Sequence, residues 1–379
     1  MNQPIYVDVH IIQSLPPSNV NRDDAGSPKQ AVYGGARRAR VSSQAWKRAT
    51  RKAFADRLAL PDQKLGTRTK RIGRELGERI AARTGLPSDD SRRLAEALIG
   101  QLGLTASKKK AEESSYLLFY GHHQLDRIVD LVADRAMELV TLPDDALGKA
   151  AADKDLNILP ILTSGHPIDV ALFGRMVADL PSLNVDAATQ VAHAISTHAA
   201  EIEFDYYTAV DDANNDDTGA GMIGTVEFTS ATLYRFATVG LHQLLTNLDG
   251  DQDAAQSALA AFLEAFAYSV PSGHQNSFAH QTLPQLMSVV VRRDQPVNLV
   301  SAFENPIFSR NGRATESISR LDKELLHAAE TWGINPVSVA SVYSQDVLPE
   351  PQKIGPALTF SGLLMAVRET VAAQLAGHR

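Results

Sequence analysis

Eight Lys or Arg residues and no Asp or Glu lie between Ala25 and Ala55, in a chain of 379 residues whose formal net charge is -7. Positive charge of that density in an acidic chain implies a polyanionic partner, and a nucleic-acid backbone is the polyanion that fits it. The stretch from Asn21 to Arg51 reads NRDDAGSPKQAVYGGARRARVSSQAWKRATR. Pro28 and Gly34-Gly35 mark loops, and Arg37, Arg38 and Arg40 sit on a short extended segment. Ser42 or Ser43 then caps the helix that follows. At about 100° per residue, Gln44, Lys47, Arg48 and Arg51 fall within about a 100° arc, opposite Trp46, Ala49 and Ala53. One face packs and the other presents cations. The helix N-terminus adds free N–H groups and a partial positive charge beside the three arginines, a corner suited to phosphate. A merely solvated basic face is the plainer alternative. The run of 31 residues without a balancing carboxylate, and the amide of Gln44 among the cations, favour phosphate.

Other chemistry is sparse. No GxxxxGK loop, HExxH helix or GxSxG elbow occurs, which removes the commonest P-loop and hydrolase readings. With no cysteine, disulfides, thiol catalysis and thiolate metal sites are excluded. Asp212, Asn214 and Asp216 keep part of a calcium-loop spacing, but Asp217 replaces the turn glycine and Ile223 the bidentate Glu, so the loop reads as a solvated tip. His193 and His198 fall about 140° apart on an expected helix, which spoils shared metal ligation and makes them core or capping histidines. Asp23 and Asp24, next to Arg22, leave two readings open. Paired carboxylates beside phosphate can hold Mg²⁺ for strand cleavage, or they can bond their own backbone in a turn.

The elements that must position the basic stretch are mixed. Residues 4–15 alternate as a half-buried strand, with Ile5, Val7, Val9 and Ile11 inward. Helical patterns follow at 69–80, 91–98 and 123–138, then at 185–200. Strands at 205–210 and 225–236 form a hairpin around a long polar tip at 211–221. A helix at 252–268, a strand at 286–292 and helices at 314–331 and 355–375 complete the chain. Strands interleaved with helices and split by a helical insertion imply an α+β fold of the ferredoxin type. Residues 22–83 carry a balance of +11, leaving -18 for the remainder. Self-association that sets acidic surface against basic surface follows from that asymmetry. No run of 18 apolar residues and no leader-like N-terminus is present, so a cytoplasmic protein is expected.

The basic stretch at 21–51, with HAISTH at 193–198 and TAVDD at 208–212, resembles the CasC family, the backbone subunits of the type I-E CRISPR Cascade surveillance complex. The order of elements agrees over nearly the whole chain, and the insertion agrees only loosely. The resemblance implies an RNA-recognition-motif-like palm (1–59 and 181–379), a helical fingers insertion (60–180) and a β-hairpin thumb (201–228). It further implies a filament on a guide RNA (crRNA), with neighbouring copies, other Cascade subunits and the paired target DNA strand as partners. Neither catalytic residue, metal nor cofactor is expected. By position, Arg22, Lys29, Ser42, Gln44, Lys47 and Arg51 resemble palm residues that grip the guide. Gly174, Arg175 and Met176 resemble a finger segment, and Thr208 stands at the thumb base. With eight Asp or Glu and no Lys or Arg in residues 201–228, the thumb is expected to act as a wedge and subunit contact. The palm lacks the aromatic signature of an ordinary RNA recognition motif, so backbone grip without sequence preference is expected. Loop aspartates of type III relatives cleave RNA, which keeps a metal-dependent ribonuclease at Asp23 or Asp24 as the alternative.

Overall fold

The computed structural model describes residues 4–103, 117–209, 222–309, 312–344 and 355–376. In chain order its strands are β1 (Ile5–Ser18), β2 (Gln30–Tyr33), β3 (Ala36–Val41), β4 (Gly66–Thr69), β5 (Leu118–Gly121), β6 (Thr189–Val191), β7 (Ala194–Ser196), β8 (Glu203–Ala209), β9 (Met222–Gly240), β10 (Leu286–Arg293) and β11 (Ser338–Tyr343). The first helices are α1 (Ser43–Asp56), α2 (Ile72–Thr84), α3 (Ser88–Gly100), α4 (His122–Ala133), α5 (Ala136–Leu139), α6 (Asp144–Ala151), α7 (Leu159–Leu162) and α8 (Ile168–Phe173). After them come α9 (Leu241–Asn247), α10 (Gln252–Tyr268), α11 (Gln275–Phe278), α12 (Ala314–Trp332) and α13 (Phe360–Ala376). No described helix is long and apolar enough to cross a membrane.

Two compact units result. The first comprises residues 1–53, 190–240 and 259–379, the second residues 54–189 and 241–258. The second thus takes a segment, 241–258, that the sequence reading leaves in the palm.

The first unit is built on a sheet in the order β11-β10-β1-β9-β7-β3-β2, with β8 also paired to β9. Central β1 runs antiparallel to both neighbours, Val9 opposite Val289 and Ala237. Expected as half-buried, β1 is buried on both faces, because its polar side chains are consumed inside. The Arg292 guanidinium donates to Asp8 Oδ2 at 2.9 Å, and the Val297 N–H donates to the same oxygen at 2.9 Å. His10 Nδ1 lies 3.0 Å from the Tyr234 hydroxyl. That hydroxyl donates to Asn298 Oδ1 at 3.2 Å, so His10 Nδ1 is the donor to Tyr234. The alternation in the sequence is therefore real, but the polar side faces a buried polar network rather than water.

Buried titratable groups set an acid response. Burial pulls His10 from 6.5 down to about 3 and His198 to about 4. The same cause, with the Arg175 charge nearby, lowers His166 to about 4 in the second unit. Below pH 6.5 the unfolded chain takes up protons that these folded histidines refuse. Their contribution is complete above that value and is lost as the pH falls. Asp8, raised from 3.8 to about 6 by burial, works oppositely: its contribution is full below 3.8 and lost as the pH rises through about 6. Three histidines against one carboxyl give a net loss on acidification. Thermal melts should show a lower midpoint at about pH 4.5 than at about pH 7. An unchanged or higher midpoint in acid would count against the buried neutral histidines.

The expected helix at 185–200 is replaced by β6 and β7, two short strands that both pair with β9. Ile195 pairs with Tyr234 of β9 and with Arg40 of β3, so β7 bridges the two strands. Local propensity gives way to an open sheet edge that needs a partner. The hairpin of β8 and β9 is present as expected, with Phe204 opposite Glu227 and Tyr206 opposite Thr225. Its tip at 211–221 lies outside the described residues. In the second unit, Ile72, Leu76 and Ile80 of α2 pack with Leu94 and Leu98 of α3 and Leu125, Ile128 and Val132 of α4. The i, i+4, i+8 spacing on α2 is that of a one-sided helix.

Candidate nucleic-acid interface

The hairpin of β2 and β3 presents two arginines and swallows the third. Arg37 is exposed and bonds Gln30 Oε1 at 3.3 Å. Arg38, expected to face phosphate, is 0% exposed. Its guanidinium donates to the carbonyls of Tyr33 (3.2 Å), Ser196 (3.1 Å), Phe303 (2.8 Å) and Glu304 (3.0 Å). Its donors are taken by backbone, and Arg38 is corrected to an internal clamp that docks the hairpin. Gly34, at φ +56°, completes the dock: a Cβ there would lie 1.6 Å from the Glu304 carbonyl oxygen. Arg40 bonds the Gln30 carbonyl through Nε and His193 Nδ1 through Nη1, at 3.2 and 3.1 Å. Burial, with the charges of Arg40 and Lys29, holds the His193 ring below its ordinary value. His193 is exposed beside the cations, not in a core or cap.

The loop before the hairpin is tied by its own polar groups. Asp23 Oδ1 accepts from the N–H groups of Ala25 (2.9 Å) and Ser27 (3.0 Å), which is the turn reading of that carboxylate. Arg22 is exposed, while Lys29 is half-buried, its N–H on the Asn21 carbonyl and its own carbonyl accepting from Arg40 N–H. Asn21 Oδ1 accepts from Ser42 N–H at 2.8 Å and so ties the loop to the start of α1. Among the described residues no group of three His, Asp or Glu is placed to hold a metal.

Of the two candidate caps, Ser42 serves: its Oγ accepts from Ala45 N–H at 3.3 Å. On α1, Gln44 and Arg48 are exposed and Lys47 and Arg51 half-buried, while Trp46, Thr50 and Ala53 are buried. Burial holds the Lys47 ammonium below its ordinary value, a cost that a nearby anion offsets. Beneath the helix, the Arg235 guanidinium sits 3.7 Å from the Trp46 ring centroid and 4.4 Å from that of Phe266. It also donates to Gln13 Oε1 and the Phe266 carbonyl. The packing side of α1 therefore rests on a buried cation, which fixes the roll of the helix and hence the direction of its basic side.

On the hairpin of β8 and β9, Thr208 shares a strand face with Phe204 and Tyr206, which are 67% and 65% exposed. Exposed rings at alternate positions can stack on bases. The sequence carried this signal in the i, i+2 spacing, which the charge argument did not use. In the second unit, the Arg175 side chain donates to the carbonyls of Leu183 (2.6 Å), Phe119 (3.0 Å) and Leu162 (2.8 Å). Burial pushes it down to about 10. Arg175 is thus corrected to an anchor, and the neighbouring Met176 is the residue presented, 83% exposed. Gly174, at φ +74°, makes that turn: a Cβ would lie 2.7 Å from the Val185 carbonyl oxygen.

The mixed α+β fold is that of chains in CRISPR RNA-guided surveillance complexes. The chain matches one from a solved "CRISPR RNA-guided surveillance complex, pre-nicking" with TM-score 0.82 and 36% identity, covering 97% of this chain and 100% of that one. A second, from a "CRISPR RNA-guided surveillance complex", matches with TM-score 0.73 and 30% identity over 97% and 99%. No curated protein matches. The model of the CT1975-like protein family matches residues 7–360, and the chain belongs to that family, the backbone subunits of type I-E CRISPR Cascade.

Proposed function

We propose that the chain is a non-catalytic scaffold that polymerises along a guide RNA, holds its backbone without reading sequence, and presents its bases to a target DNA strand. The observation that carries this reading is the cationic surface of Arg22, Lys29, Arg37, Arg40, Gln44, Lys47, Arg48 and Arg51, on elements whose opposite sides are packed. Ser42, expected to grip the guide, is buried and serves that surface as the helix cap. Phosphate contacts supply affinity and leave sequence to base pairing. Phe204, Tyr206 and Thr208 on the thumb hairpin suit a wedge between bases, and Met176 suits an apolar contact with a splayed nucleotide. Palm and thumb fit the first unit, fingers the second. Neighbouring copies and other Cascade subunits are the protein partners.

Titrating the purified chain against labelled single-stranded RNA at several salt concentrations, with Mg²⁺ present, tests this. Binding should weaken steeply with salt and be indifferent to sequence, and the recovered RNA should run intact on a denaturing gel. Binding that ignores salt would remove the phosphate reading. Cleaved RNA that becomes intact with the Asp23→Ala variant would replace the scaffold by a metal-dependent ribonuclease.

A further inference from the structure

Arg22 is held by a residue that charge and motif did not select. Its Nη1 lies 2.6 Å from His274 Nε2. A guanidinium only donates, so His274 Nε2 accepts and the ring proton sits on Nδ1. His274 has φ +48°, and Ala279, just past the other end of the four-residue α11, has φ +46°. Side chains with a Cβ rarely adopt that backbone, and where they do, the surroundings must enforce it.

The enforcement is visible. A Cβ on Gly273 would lie 2.5 Å from the Val20 carbonyl oxygen, so the turn is pressed against the chain just before Arg22. The Phe278 ring packs on His274 at 6.2 Å and on Phe228 of β9 at 6.0 Å. Buried Asn19 donates to the carbonyls of Gly26 (3.0 Å) and Glu227 (2.9 Å), fixing the Arg22 loop and the base of β9 to the same corner. Core formation does not account for the strain, because His274 is only half-buried and Gln275, Asn276 and Ser277 are exposed. What the left-handed turn achieves is to bring an imidazole acceptor to Arg22.

We propose that His274 is a positioning residue for RNA binding, its Nε2 orienting the Arg22 guanidinium toward the phosphate path. Unheld, an exposed arginine samples many rotamers and loses side-chain entropy when it meets a phosphate; held, it has lost that entropy in advance. The proposal rests on the RNA-binding reading above.

The test is a double-mutant cycle on the full chain with labelled single-stranded RNA, using Arg22→Ala, His274→Ala and the pair, with His274→Gly as a further variant. His274→Ala should weaken binding about 3- to 10-fold in the native background and by no further factor in Arg22→Ala. His274→Gly should lose the same affinity yet melt at a higher temperature than His274→Ala, because glycine takes the left-handed backbone freely. Equal losses in both Arg22 backgrounds, or native affinity in both His274 variants, would overturn the role. A native chain that binds no RNA would instead remove the reading on which the role rests.

Discussion

Replacing Lys47 and Arg51 together by alanine weakens binding of single-stranded RNA about 10- to 100-fold near physiological salt, by the same factor for every sequence. Each phosphate contact contributes about 0.7 to the slope of log affinity against log salt on a single strand, so the slope falls by about 1.4. The loss in affinity follows because the released counterions, rather than base contacts, drive the association. Both side chains are half-buried on the outward side of α1. Their removal leaves Trp46 and Thr50 packed, so stability should change by less than about 1 kcal/mol. Anisotropy titrations over a salt series, with two RNAs of unrelated sequence, measure slope and sequence dependence together. An unchanged slope would mean that this side of the helix does not meet phosphate.

The second large effect separates neighbours that look alike in the sequence. Arg38→Ala should lower the unfolding free energy by about 3–5 kcal/mol, since it strips the donor from four carbonyls and leaves a cavity behind the hairpin. Arg37→Ala should cost no more than about 0.5 kcal/mol while weakening RNA binding a few-fold. Lysine should not rescue position 38, because an ammonium cannot span carbonyls on three different segments as a planar fork does. Urea midpoints and RNA titrations on the two variants settle the assignment. A stable Arg38→Ala chain with weakened RNA binding would return Arg38 to the surface set.

These results together describe an interface set by its anchors. Arg38 fixes the hairpin that presents Arg37 and Arg40, Arg235 fixes the roll of the helix that presents Lys47 and Arg48, and Arg175 fixes the turn that presents Met176. In each case a buried guanidinium in contact with carbonyls, amides or rings lies under an exposed or half-buried residue. Arginine suits this use because its planar fork reaches several acceptors at once and its charge is less costly to desolvate than an ammonium.

Much of the architecture was legible from periodicity and charge. Hydrophobic spacing located β1, α1, α10, β10 and α12 to within a few residues, because a period near two or near 3.6 is written directly in the order of side chains. The split face of α1 follows from the same arithmetic. The segment 185–200 was not legible: its residues favour a helix locally, and only the unpaired edges of β3 and β9 make β7 a strand. Nor was the turn at His274, where the neighbouring Gly273 is pressed against Val20 from the distant start of the chain.

A dense basic stretch on a one-sided helix in an acidic chain can be read from residue order alone, because composition and spacing are local properties. Which arginines face out depends on the fold. Arg37, Arg38 and Arg40 have the same charge and nearly the same neighbours, yet one is wholly enclosed, since burial depends on where the carbonyls of Ser196, Phe303 and Glu304 arrive. Those carbonyls come from segments more than 150 residues away, and no local pattern encodes that meeting.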